Sequence, residues 1–353
     1  MIKYYLTTDI DEIVQRVKFD VIQFSGKRIL LTGGLGFLGR YFIEIFRKLN
    51  NEVLEKPAKV VVLDNMITSG DINDFRVNDS NIEIINHDVT KPFDYDRTIN
   101  YIIHAAGIAS PQYYQKYSLE TLEVAVTGTK NMLQMALKHK AKFTFFSSSE
   151  IYGNPDGEHI PTNEDYKGSV STLGPRSCYD EGKRVGETLC YIYNKHFKVH
   201  TTIVRPFNLF GPGMQETDYR VLPNFASRIK VKKPLRVYGT GNQTRTFCYI
   251  VDAMTGLFKV ILKGISGEVY NIGTSKPEIS MVELVKVITQ ILGHEVTCEI
   301  VKYPQIYPAD EPIRRCPDIR KAQSQLGYEP KITLEEGLYR FFSWANENYN
   351  GVQ

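Results

Sequence analysis

The sequence predicts an α/β protein: a doubly wound parallel sheet followed by a smaller mixed α/β lobe. Three observations carry that expectation. Short β-rich apolar runs alternate with helical stretches through the N-terminal half. A glycine cluster separates the first such run from the first long helical pattern. Beyond Arg205 the alternation loosens, and Pro206, Gly211, Pro212 and Gly213 mark the break.

In chain order, Ile10, Ile13, Val14 and Val17 share helical spacing after Thr8 and Asp9, which can cap, and predict a short amphipathic helix laid on the main body. Strands are expected at Arg28–Leu31, Lys59–Leu63, Ile82–Ile85, Tyr101–Ile103, Phe143–Phe146 and His200–Val204. Helices are expected at Phe37–Leu49, Leu119–His139 and Tyr179–Phe197. Arg245–Tyr249 reads as a further strand, and Asp252–Lys263 as a helix returning to the first domain. Ser280–Leu292 and Leu334–Asn348 read as helices of the smaller lobe. The division is therefore interleaved: an N-terminal extension over 1–26, a main domain over 27–205 to which 245–263 return, and a lobe built from 206–244 and 264–353.

The 353 residues are 42% hydrophobic and 24% charged, enough for a large core, and the net charge is +3. Charges of both signs are mixed, unlike the basic stripe of a nucleic-acid binder, so no nucleic-acid partner is expected. Five widely spaced cysteines form no C-x-x-C pair, which argues against disulfides and zinc; no metal is expected, and the thiols fit a reducing, cytoplasmic setting. Asp9, Asp11 and Glu12 fall where a signal peptide needs an apolar run, and no stretch reaches the roughly 18 apolar residues of a membrane span, so no membrane association is expected.

The segment T-G-G-L-G-F-L-G carries Gly33, Gly36 and Gly39 between a strand and a helix. That context predicts a dinucleotide site: Gly33 for the tight turn, Gly36 for close approach to a pyrophosphate, Gly39 for helix-to-strand packing, and free N–H groups at the helix start. Asp64 ends the second strand, where a carboxylate accepts from ribose hydroxyls and repels a 2′-phosphate, favouring NAD; the alternative is a plain loop aspartate. Asp88 and Val89 border the adenine, or Asp88 caps a turn. Phe37, Leu38, Asn65 and Ala105 complete the expected cofactor contacts.

Tyr179 and Lys183 are one helical turn apart. A tyrosine with an ordinary pKa near 10 serves as a base near neutrality only if cations stabilise its phenolate, and Lys183 with the positive nicotinamide would do so. The serine run ending the fifth strand faces the same crevice; there Ser148 is placed to hydrogen-bond the substrate hydroxyl that Tyr179 deprotonates, and Glu150 is either catalytic or a solvated turn residue or cap.

These residues resemble the extended short-chain dehydrogenases/reductases, which have a Rossmann-type fold. Within that family they are similar to the UDP-glucuronic acid decarboxylases. The resemblance runs from Lys27 to Tyr349 and is carried by Gly174–Leu189 (G-P-R-S-C-Y-D-E-G-K-R-V-G-E-T-L), Ser148–Gly153, Arg205–Met214, Arg220–Phe225, Tyr238–Phe247 and Arg314–Ile319. It implies that NAD⁺ takes hydride from C4 of a UDP-linked sugar while Tyr179 removes the hydroxyl proton. The β-keto acid then loses CO₂, and the 4-keto product is released or reduced. It implies Ser148, Glu150 and Arg315 as catalytic residues with Tyr179 and Lys183. It implies Ser149, Arg176, Asn208, Arg220, Tyr238, Arg245 and Arg315 as substrate contacts, although Arg176 and Arg315 also read as surface ion-pair partners. It further implies a homodimer through a four-helix bundle.

The sequence departs from the family's pattern at Ala125, where an asparagine is usual, at Gly107 and Ile108, and at Cys316, where a basic residue is usual. Two other activities of the family remain open, a nucleotide-sugar 4-epimerase and a 4,6-dehydratase. Dehydratases carry Asp-Glu where this chain has Ser149-Glu150, and epimerases carry a small or β-branched residue at Glu150. A non-catalytic NAD-sensing regulator would be expected to lose Tyr179 or Lys183, and both are present.

Overall fold

A computed structural model describes residues 4–69, 77–218, 220–303 and 312–351. The chain opens with α1 (Thr7–Val17), β1 (Arg28–Thr32), α2 (Phe37–Glu52), β2 (Lys59–Asp64), β3 (Ile82–Asn86) and β4 (Tyr101–His104). It continues through α3 (Pro111–Lys116), α4 (Ser118–Glu123), a π turn (Val124–Gly128), α5 (Thr129–His139), β5 (Lys142–Phe146), α6 (Ser177–Phe197) and β6 (Thr201–Pro206). Then come β7 (Leu209–Phe210), α7 (Val221–Lys230), β8 (Leu235–Tyr238), β9 (Thr244–Arg245), β10 (Cys248–Tyr249), α8 (Ile250–Lys263) and β11 (Val269–Ile272). The last elements are β12 (Ile279–Ser280), α9 (Met281–Leu292), β13 (Cys298–Val301), β14 (Arg314–Arg315), α10 (Arg320–Leu326) and α11 (Leu334–Asn348).

A seven-stranded parallel sheet in the order β11-β6-β5-β4-β1-β2-β3 forms the centre. Its inner strands are buried along nearly their whole length, because helices cover both faces and each face must be apolar. Strand order reverses between β1 and β4, in register from Ile29 opposite Tyr101, so the crevice of a doubly wound fold opens above their C-terminal ends. The smaller sheets are β10-β7, β12-β9-β14 and β13-β8. Among the described residues no helix is long and apolar enough to cross a membrane.

Four expectations change. The run Arg245–Tyr249 is two short strands, β9 and β10, in separate small sheets, because Thr246 and Phe247 interrupt the pairing. Val269–Ile272, inside the stretch assigned to the lobe, pairs with β6 as the seventh strand of the main sheet. The helix expected from Leu119 starts at Ser118, is preceded by α3, and widens into the π turn around Ala125. Finally, Thr8 and Asp9 do not cap α1: Leu6 is its N-cap, and Asp9 is buried, accepting from Tyr249 Oη at 2.6 Å and Arg340 at 2.9 Å.

One buried polar chain ties the switch point together. His104 Nδ1 and Thr32 Oγ1 lie 2.8 Å apart, and His104 Nε2 lies 3.1 Å from Thr129 Oγ1. The N–H of Ala106 donates to Thr32 Oγ1 at 3.1 Å. Burial lowers His104 to about 3, so the ring is neutral and joins β1, β4 and α5 without a buried charge.

Candidate active site

Every candidate residue named from the sequence lies on the wall of one cavity of about 470 Å³. It runs from the glycine turn, across the ends of β1, β4 and β5, to Arg315 on β14.

At the first end, a Cβ on Gly33 (φ +71°) would fall 2.8 Å from the Ala106 backbone, and one on Gly39 2.4 Å from the Gly33 carbonyl oxygen. A Cβ on Gly36 would meet only that carbonyl, at 3.4 Å. Gly33 and Gly39 are thus required by the chain itself, whereas the bare backbone of Gly36 faces the cavity at the N-cap of α2. The neighbouring Gly34 is equally constrained, since a Cβ there would strike Val62. Asp64 Oδ2 accepts from the N–H of Leu35 at 2.9 Å, and Oδ1 accepts from the N–H of Met66 at 2.8 Å and from Ser69 Oγ at 3.1 Å. Three of the roughly four acceptor positions of a carboxylate are used, and one is left for a further donor. Asn65 accepts from Ile67 N–H at 3.2 Å. Asp88 accepts from Thr90 N–H at 2.9 Å, so it caps a turn at the cavity edge, two residues beyond the end of β3.

In the middle, Tyr179 and Lys183 come from one face of α6, and Ser148 from the end of β5. Burial pushes the Tyr179 phenol up to about 12 against the pull of the Ser148 hydrogen bond and of Arg220. Lys183 Nζ donates to the Phe146 carbonyl at 2.7 Å, and burial lowers it to about 8. The departure at Gly107 has a physical reading: a Cβ there would lie 3.1 Å from Lys183 Nζ. Ile108 packs with Tyr114 against Tyr179. Ala125 stands across from Gly182 in the π turn, a Cβ on which would reach it at 3.0 Å.

At the far end, Glu150 sits in a short 3-10 turn that Ser148 caps, with its N–H donating to Ser148 Oγ at 3.2 Å. Its carboxylate is gripped by Arg315 through two nitrogens, each at 2.6 Å, and by Arg176. Neither arginine is a surface partner, for both are buried. Ser149 is buried beside them. Asn208 adopts φ +41° and donates to the Thr246 carbonyl at 2.9 Å. Arg220 stands at the N-cap position of α7 and pairs with Asp218 at 2.5 Å. Tyr238 stacks on Tyr303 with centroids 5.7 Å apart, and Arg245 donates to the carbonyl of Pro312 at 2.7 Å. Cys316, at the family's basic position, turns away from the site, its Sγ against the Ser275 carbonyl at 3.4 Å. Sequence reasoning missed Asp180, Gly34 and Tyr303; the Y-D-E-G-K and T-G-G motifs contain the first two.

A glycine turn beneath a helix start at the switch point, with serine, tyrosine and lysine converging beside it, defines a dinucleotide-dependent enzyme of the extended short-chain dehydrogenase/reductase class. The chain belongs to the NAD dependent epimerase/dehydratase family, which matches residues 29–273, and NAD is its cofactor. It is 40% identical over 313 residues to UDP-glucuronic acid decarboxylase 1 of Xenopus tropicalis, covering 88% of this chain and 70% of that one. It is 38% identical to UDP-glucuronic acid decarboxylase 6 of Arabidopsis thaliana, covering 89% and 87%. Among solved structures, the UDP-glucuronic acid 4-epimerase of Bacillus cereus in complex with UDP-glucuronic acid and NAD superposes with a TM-score of 0.77 at 28% identity, covering 91% of this chain and all of that one.

Proposed function

We propose that the chain decarboxylates UDP-glucuronic acid, oxidising C4 and losing C6 as CO₂ to give UDP-xylose or its 4-keto form. The observation that carries this reading is the Arg176–Glu150–Arg315 cluster, two buried guanidinium groups at the sugar end of the cavity, a geometry suited to an anionic C6 group. The identity to proteins named UDP-glucuronic acid decarboxylase supports it.

Gly33, Gly36, Phe37, Leu38, Gly39, Asp64, Asn65, Asp88, Val89 and Ala105, which line the cavity with Tyr179 and Lys183, would hold NAD. When bound, NAD supplies a hydride acceptor for C4 and a positive ring that favours an ionised phenol. Tyr179 takes the C4 hydroxyl proton, Ser148 orients that hydroxyl, and Lys183 holds positive charge beside the phenol. The C4 ketone leaves the C6 carboxylate β to a carbonyl, so the electron pair of the breaking C5–C6 bond flows into that carbonyl, CO₂ departs, and the resulting enolate takes a proton from solvent at C5 to give the 4-keto pentose. Glu150 with Arg315 turns the carboxylate out of the sugar plane, and Arg176 and Ser149 complete that pocket. Asn208, Arg220, Tyr238 and Arg245 receive the nucleotide diphosphate.

A second reading, 4-epimerisation of the same uronate, is favoured by the likeness to the Bacillus cereus enzyme. Mass spectrometry of products from a panel of UDP-, dTDP-, GDP- and CDP-sugars separates the two. Mass loss equal to CO₂ for UDP-xylose, or to CO₂ and two hydrogens for the 4-keto form, from UDP-glucuronic acid alone, is expected; an unchanged mass with an epimeric product favours the second reading. Leu119 and Leu122 on α4 and Val185 and Ile192 on α6 are exposed, and α4 packs on α6, which supports a homodimer through these helices. The scattered cysteines favour a reducing compartment, the cytoplasm.

A further inference from the structure

The first turn of α6 places two charges on one face. Arg176 is the N-cap, Asp180 lies four residues on, and Arg176 Nε donates to Asp180 Oδ2 at 3.4 Å. The other end of the same guanidinium reaches Glu150. Asp180 is 7% exposed and is not part of the cavity wall, whereas Arg176, Glu150 and Arg315 are. Asp180 therefore grips the back of an arginine whose front faces the sugar. Two atoms of this cluster, Asp180 Oδ1 and Arg315 Nε, have no hydrogen-bond partner among the described residues. The four charges sum to zero when all are ionised, so a docking carboxylate would leave one uncompensated negative charge in a buried cluster, which is costly.

We propose that Asp180 is a positioning residue that aims Arg176 at the sugar carboxylate and takes up a proton when that carboxylate docks, keeping the buried cluster neutral. The inference rests on the uronate reading given above. Burial, and then Glu150, raise the Asp180 carboxyl to about 7 against the pull of Arg176 and Arg315, so the proton is exchangeable near neutrality. Charged groups near it on the packed elements have partners of their own or lie on the cavity wall. Lys183 donates to the Phe146 carbonyl, Arg184 to the carbonyls of Ile151 and Lys167, and Arg205 to Glu187. Glu120 and Glu123 of α4 line the cavity. The sign follows: below about pH 7 Asp180 holds its proton and the cluster carries one net positive charge for the uronate. Above it, uronate affinity falls by up to roughly tenfold per pH unit.

Calorimetry of the NAD-loaded protein at pH 7.5, in buffers of different ionisation enthalpy, tests this. UDP-glucuronic acid should bind with uptake of a fraction of a proton, and UDP-glucose, which has a neutral C6, should bind with none. Asp180→Asn should abolish the uptake and flatten the dependence of uronate affinity on pH, leaving UDP-glucose binding as it is. Wild-type proton uptake that is equal for the two ligands overturns the inference even if the variant does not fold. UDP-glucuronic acid binding with a buffer-independent enthalpy overturns this inference alone. Failure of UDP-glucuronic acid to bind at all overturns the substrate reading and this one with it.

Discussion

Tyr179 sits in surroundings that oppose its ionisation: burial holds the phenol at about 12, and Glu150 and Asp180 add negative charge nearby. A base in that position needs cations, and Lys183 is the one built into the same helical turn. Tyr179→Phe, which removes only the hydroxyl, should lower kcat by roughly 10²–10⁴-fold with circular dichroism and NAD affinity unchanged. Lys183→Met should move the rising limb of the pH–rate profile to higher pH. Near wild-type turnover of the first variant, or an unmoved limb in the second, contradicts the assigned roles. Tyr179, Lys183, Ser148 and Glu150 were legible in the sequence because helical spacing and a strand end fix which way they face. The partners of Glu150 were not. Arg315 lies 165 residues away, and only the folded chain turns two candidate surface arginines into a buried grip on one carboxylate.

At the scale of elements, the glycine turn separates two roles that its spacing suggested. Gly39→Ala puts a methyl group into backbone atoms of the turn and should cost about 1–3 kcal/mol, seen as a lower melting temperature. Gly36→Ala meets one carbonyl oxygen at 3.4 Å, so the melting temperature should hold while NAD affinity, measured by calorimetry, falls. Equal loss of stability in both variants contradicts the assignment of the Gly36 backbone to the pyrophosphate. The buried strands of the main sheet were legible because continuous apolar runs of this length have few other uses. Val269–Ile272 was missed because four residues between polar loops carry little pattern, and β9 and β10 were merged because their pairing partners lie elsewhere in the chain. The π turn is likewise invisible in a helical periodicity that continues on both sides of it.

Across the whole molecule, the cavity joins the edge of the main sheet to the smaller lobe, so its glycine-turn end and its Arg315 end are built by different parts of the chain. The N-terminal helix, read only as an amphipathic segment, reaches α11 through the Asp9–Arg340 pair and α8 through Arg16–Asp252. Those contacts depend on long-range partners that no local pattern reveals. The exposed apolar residues of α4 and α6 lead to a prediction at this scale. Light scattering should find a dimer, and Leu122→Arg combined with Val185→Arg should yield a monomer; a monomeric wild type contradicts the helical interface.

The proposed chemistry removes C6 from a uronate in this cavity. Its most direct test is ¹³C NMR of UDP-glucuronic acid labelled at C6, incubated with the protein and NAD⁺. The label should leave the sugar and collect as CO₂ and bicarbonate, while unlabelled UDP-xylose or the 4-keto pentose accumulates. Retention of the label in UDP-galacturonic acid, with no CO₂ formed, would contradict the claim and leave 4-epimerisation in its place.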